Sequence, residues 1–103
     1  MASPIDVHEL LRRISNGEEL NLLDVRGEME FHTYNIGGEN IPLPHLLKNA
    51  EVCRYNKIDE IIVICKAGLR SDTATRLLTE NGYQLARNLT GGLMALQKIK
   101  SKN

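Results

Sequence analysis

The stretch Ile61-Ile62-Val63-Ile64-Cys65-Lys66-Ala67-Gly68-Leu69-Arg70-Ser71 decides the fold. Its apolar, mostly β-branched start reads as a buried strand ending on a cysteine. A short loop then closes on an arginine, and a helical pattern begins at once with Ser71 and Asp72 in capping positions. The backbone amides of a loop that feeds a helix N-terminus point into the bend, so a thiolate or an anionic substrate there meets partial positive charge. A free cysteine has a pKa of about 8.5, and a helix N-terminus or neighbouring cations lower it. Lys66 and Arg70 bracket the loop, and Gly68 allows successive amides to converge on one point. The stretch is therefore a nucleophile in an anion cradle. The bland alternative is an inert packing thiol, free cysteine being among the most buried residue types. Its position, at the end of a buried strand and just before a glycine and two cations, favours chemistry.

Strand and helix patterns alternate on either side of this stretch. Asp6 with Glu9 predicts a capping-box-like start for an amphipathic helix through Val7, Leu10, Leu11 and Ile14, which Asn16-Gly17 stops. Leu20 to Val25 reads as a short buried strand carrying Asp24 and then Arg26 at its carboxyl end, where ligands bind in open parallel sheets. Gly27 to Tyr34 predicts one or two helical turns anchored by Met29 and Phe31. Asn40 to Pro44 is a short extended piece, because prolines remove ladder donors. His45 to Arg54 follows a second helical pattern. Helix from Ser71 to Asn81, strand from Gln84 to Leu89 and helix from Leu93 to Ile99 complete the order. These alternations predict an α/β fold with a mostly parallel sheet of about five strands and helices on both faces.

A chain of 103 residues is of single-domain length. Its 13 Lys and Arg balance 13 Asp and Glu to a formal charge of zero, which disfavours attraction to nucleic acid or an anionic membrane. No basic region followed by an apolar stretch opens the sequence, and no run approaches membrane-spanning length. These features predict a soluble, cytoplasmic chain, where a Cys53–Cys65 structural disulfide is disfavoured. His8, His32 and His45 lack ligand spacing, so no metal is expected.

The motifs resemble those of rhodanese-fold sulfurtransferases. Cys65-Lys66-Ala67-Gly68-Leu69-Arg70-Ser71 is similar to that family's active-site loop, a cysteine followed by x-x-G-x-R and often Ser or Thr. Leu22-Leu23-Asp24-Val25-Arg26 with Glu30-Phe31, Asn40-Ile41-Pro42-Leu43 and Leu89-Thr90-Gly91-Gly92 resemble three further family segments, in the same order. Four motifs in register cover nearly the whole chain. The resemblance implies one rhodanese-like domain over residues 1–103, with 100–103 as a frayed tail. Two departures stand out. Tyr34-Asn35-Ile36 occupies the family's usual G-H-I step, and the tryptophan that often follows the double glycine is missing, Leu96 being expected to fill its space.

What the resemblance implies is transfer of sulfane sulfur from thiosulfate or a persulfide donor to a thiophilic acceptor through a Cys65 persulfide. Lys66, Ala67, Gly68, Leu69, Arg70 and Ser71 would bind the donor and stabilise the persulfide, with no cofactor. A thioredoxin-like protein or another thiol would accept the sulfur. Asp24 and Arg26 are expected to support the loop as an ion pair orienting the strand end. Phosphatase and arsenate-reductase relatives use a loop one residue longer, so the shorter form here favours sulfur transfer. A non-catalytic interaction module on the same fold is the other rival. Cys53 is most simply a packing residue; as a resolving thiol it would need its Cα within about 7 Å of that of Cys65.

Overall fold

The computed structural model describes residues 1–101. Its sheet comprises β1 (Leu22–Asp24), β2 (Glu39–Asn40), β3 (Glu60–Ile64) and β4 (Leu85–Asn88). The spatial order is β2-β1-β3-β4, and every neighbouring pair is parallel. Among the described residues α2 (Glu28–Thr33), α3 (Leu43–Lys48) and α4 (Leu69–Glu80) connect them, while α1 (Val7–Ser15) precedes β1 and α5 (Gly92–Ser101) follows β4. The sheet thus has four strands rather than about five. Beyond these strands, the described residues add an isolated parallel bridge between Ile5 and Leu89. Ile5 donates to the Asn88 carbonyl at 2.9 Å and accepts from Thr90 at 2.9 Å. The preceding Pro4 has no N–H to continue the ladder, and the following Asp6 is already the cap of α1, its carboxylate accepting from Glu9 N at 2.8 Å.

Alternation along β3 divides the core into two layers. Ile61, Val63 and Cys65 face a cluster with Leu46 of α3 and Ala74 and Leu78 of α4. Ile62 and Ile64 face the other way, onto Leu10 of α1 and Leu93 and Leu96 of α5. Helices cover both faces, and Leu96, only 1% exposed, occupies the last helix's core position. Both faces of β3 are covered by helices, which is why its run is apolar throughout.

Several boundaries differ from expectation. The helical pattern expected over His45 to Arg54 begins earlier, with Pro44 in the first turn of α3, and breaks at Asn49. The Asn49 side chain accepts from Glu51 N at 3.0 Å and starts a separate 3₁₀ turn, Ala50–Val52. Met29 does not anchor α2: it is 84% exposed, and that helix has no buried residue. Lys100 and Ser101, assigned to the tail, continue α5, while 102–103 lie outside the described residues. No helix among the described residues is long and apolar enough to cross a membrane.

Candidate active site at the Cys65 loop

Adjacent parallel strands bring Asp24 and Ile64 side by side, so the carboxyl ends of β1 and β3 form one edge. Cys65 follows β3 and is buried, 1% exposed. The loop then reverses at Gly68, whose φ of +101° favours glycine, and α4 starts at Leu69. This corrects the expected capping roles of Ser71 and Asp72. Ser71 is the third residue of α4, and its side chain turns inward, while Asp72 pairs along the helix with Arg76 at 3.1 Å.

The cap of α4 is the cysteine sulfur itself. Cys65 Sγ receives Gly68 N at 3.0 Å and Ser71 N at 3.3 Å, amides that the first helical turn leaves without intrahelical partners. Ser71 Oγ lies 3.2 Å from the same sulfur. Burial opposes ionisation of the thiol; the Ser71 hydroxyl and the amides of Ser71, Gly68 and Ala67 outweigh it, so the Cys65 pKa lies below the ordinary value.

The loop carbonyls are held away from the sulfur by α5. Leu93 N donates to the Cys65 carbonyl at 3.0 Å and Met94 N to the Lys66 carbonyl at 2.9 Å. This docking requires Gly92: a Cβ there would lie 2.5 Å from both carbonyl oxygens, and its φ is +60°. The double glycine therefore fixes peptide orientation in the loop, leaving its N–H groups for the interior.

Asp24 and Arg26 form a buried ion pair, with Arg26 Nη2 2.8 Å and Nε 3.0 Å from the carboxylate. Arg26 also donates to the Tyr34 carbonyl at 2.6 Å, tying the end of β1 to the far end of α2. Asn40 Nδ2 reaches the carbonyls of Asp24 and Arg26 at 3.0 and 2.9 Å, giving the Asn-Ile-Pro segment its part in the same scaffold. Arg70 stands in the first turn of α4, close enough to Cys65 for their charges to interact. Its guanidinium grips Glu30 on α2 through two bonds of 2.7 and 2.9 Å. Glu30 also accepts from Gly27 N at 3.1 Å, and its pKa is lowered to about 2, chiefly by Arg70.

Lys66 and Leu69 stand exposed on the rim, as does Ala67. A cleft of about 410 Å³ beside the loop is lined by Lys66, Glu30, Met29 and Met94, among others.

The family model for the rhodanese-like domain matches residues 6–99. The chain belongs to the rhodanese-like domain family. It is 30% identical over 95 residues to a sulfurtransferase of Allochromatium vinosum, covering 92% of this chain and 88% of that protein. The human single-domain sulfurtransferase TSTD1 superposes with a TM-score of 0.76 at 25% identity, over 95% of this chain and 97% of that one. The solution structure of a rhodanese-like domain from Anabaena gives a TM-score of 0.83 at 28% identity, over 96% of this chain and 76% of that one. YrkF of Bacillus subtilis, whose name proposes a sulfur carrier role, is 33% identical over 90 residues and 86% of this chain. The rhodanese-like chain spans 48% of the length of YrkF and 65% of that of rhodanese-like domain-containing protein 17 of Arabidopsis thaliana.

Two residues of this rhodanese-like site escaped sequence reasoning. Glu30 stood inside a recognised motif, but nothing local revealed a partner 40 positions away. Asn88, at the end of β4, binds the Ser71 hydroxyl and the Gly68 carbonyl. Its only sequence signal was its place at the same strand edge as Cys65.

Cys53 and Cys65 are both free and buried. Burial pushes the Cys53 thiol up, opposite to Cys65. His8, His32 and His45 are exposed, and no group of metal-ligating residues occurs among the described residues.

Proposed function

We propose that this rhodanese-like domain transfers sulfane sulfur through a persulfide on Cys65. The observation that carries the reading is the convergence of Gly68 N, Ser71 N and Ser71 Oγ on Cys65 Sγ. The thiolate attacks the outer sulfur of a donor such as thiosulfate. A new S–S bond forms, the donor's S–S bond breaks, and sulfite leaves with the bonding pair. The outer sulfur of the persulfide then lies over the loop from Lys66 to Ser71, where the amides stabilise negative charge without reorganising. A thiolate acceptor attacks that outer sulfur and returns Cys65 as thiolate. Thiosulfate or a protein or low-molecular-weight persulfide serves as donor, and a thioredoxin-like or other thiol as acceptor.

In this reading Lys66 on the rim attracts the anionic donor, while Arg70 shapes the loop through Glu30. Asp24 and Arg26 support the site by holding the end of β1 and α2. The engagement of both Arg70 terminal nitrogens by Glu30 supports a sulfur atom over a tetrahedral phosphoryl group as cargo. Thiocyanate formation from thiosulfate and cyanide tests the proposal. Turnover by the wild type and none by Cys65→Ser is expected; hydrolysis of phosphate esters with no thiocyanate under any donor would overturn it.

A further inference from the structure

Ser71 Oγ is buried between two groups, Cys65 Sγ at 3.2 Å and Asn88 Oδ1 at 2.5 Å, and it carries one proton. The orientation of the Asn88 amide follows from its other contact. Asn88 Nδ2 donates to the Gly68 carbonyl at 3.3 Å, so Oδ1 is the atom that meets the hydroxyl. A carbonyl oxygen only accepts, and the bond therefore uses the Ser71 proton. With that proton on Asn88, Ser71 offers Cys65 lone pairs only, an arrangement that suits the S–H form.

Ionisation of Cys65 reverses the requirement. The sulfur loses its proton to solvent, and the Ser71 O–H gains by turning toward the anion, since charge-assisted bonds are the stronger ones. Asn88 Oδ1 then faces a hydroxyl lone pair. Flipping the amide provides no escape, because it would set Oδ1 against the Gly68 carbonyl. We propose that Asn88 is a positioning residue that holds the Ser71 proton away from Cys65 and so sets how readily this cysteine becomes a thiolate. The hydroxyl swings to the sulfur in the thiolate and back to Asn88 when the charge moves off Sγ.

Other charges around the sulfur are Lys66 in the loop, Arg70 and Asp72 in the first turn of α4, Glu30 of α2 bound to Arg70, and the Asp24–Arg26 pair beside β3. Substitution of Asn88 by an uncharged residue leaves all of them in place. The experiment is the pH dependence of iodoacetamide alkylation of Cys65 in a Cys53→Ala background, a readout that is independent of sulfur transfer and separates this inference from the proposed function. Asn88→Ala is expected to lower the midpoint by up to about one unit, the scale of one hydrogen bond. Asn88→Asp, which binds the proton more tightly and adds a like charge, should raise it. In Ser71→Ala, the further change Asn88→Ala should move nothing. General damage to the loop would shift Asn88→Ala and Asn88→Asp in the same direction. That result, unmoved midpoints, or an undiminished Asn88→Ala effect without the Ser71 hydroxyl would each overturn the proposal.

Discussion

Arg70 and Glu30, on α4 and α2, meet through two parallel hydrogen bonds of 2.7 and 2.9 Å, so the arginine that closes the loop is also the link that fastens α2 beside it. α2 buries no side chain of its own, and this pair together with Arg26 supplies its attachment. Bidentate guanidinium–carboxylate geometry fixes orientation as well as distance. The pairing lowers the Glu30 pKa from 4.5 to about 2. A depressed carboxyl pKa contributes stability that is present above the unfolded value and is lost as pH falls through the folded one. Denaturant titrations of wild type and Glu30→Gln should therefore differ by a constant amount above pH 4.5 and converge as pH approaches 2. A constant difference across that window would contradict the pairing. Both side chains are partly solvent-exposed, and screening keeps the difference small.

Gly92 is where α5 packs directly against the backbone of the Cys65 loop. Gly92→Ala would drive a Cβ to 2.5 Å from the Cys65 and Lys66 carbonyl oxygens at a φ of +60°. The strain and the weakened bonds from Leu93 and Met94 should destabilise the fold by about 2–3 kcal/mol. Activity should fall further than stability explains, because the released carbonyls are free to turn toward the sulfur. Urea denaturation and thiocyanate formation under folding conditions check the two parts.

The two cysteines should separate cleanly in reactivity. Amides and a hydroxyl favour the Cys65 thiolate, whereas burial suppresses that of Cys53. Peptide mapping after brief iodoacetamide treatment of folded protein at pH 7 is expected to place most of the label on Cys65, by at least about tenfold. Cys53→Ala should retain sulfur transfer and lose about 1 kcal/mol of stability from a small core vacancy. Loss of activity in Cys53→Ala with the fold intact would instead assign that thiol a chemical role.

The opposite, amino-terminal end of the sheet is held by charge. Glu60 accepts from Arg13 at 2.6 and 2.8 Å and from Arg87 at 2.9 Å, and Arg87 also reaches Glu9 at 3.0 Å. The Glu60 pKa is lowered, first by its bonds to Arg13. Glu60→Gln leaves two mostly buried guanidinium groups facing a neutral side chain and should cost about 2 kcal/mol. Turnover should be unchanged, since this network stands at the far end of β3 from Cys65. Thermal denaturation paired with a rate measurement tests both statements.

What the sequence conveyed follows from where the information was local. The five apolar residues before the loop, the Asp6 cap and the Gly91-Gly92 entry each act within a few residues of themselves, and their elements stand where expected. β3 stands at the apolar run because a strand buried on both faces carries a continuous apolar signal. Ser before a helical pattern ordinarily caps, but here the sulfur takes the orphan amides and frees the Ser71 hydroxyl for the interior. Asn49 split a continuous helical pattern through a side-chain bond that periodicity does not register. The partners of Arg70 and Ser71, Glu30 and Asn88, lie on other elements, and only the assembled sheet edge brings them together.

The most direct measurement is the intact mass of the protein after incubation with thiosulfate and removal of excess donor, taken under non-reducing conditions. A gain of one sulfur atom on Cys65, removed by cyanide or a thiol and absent from Cys65→Ser, is expected. Unmodified wild-type protein with every sulfane donor tried, or an adduct that persists in Cys65→Ser, would contradict it.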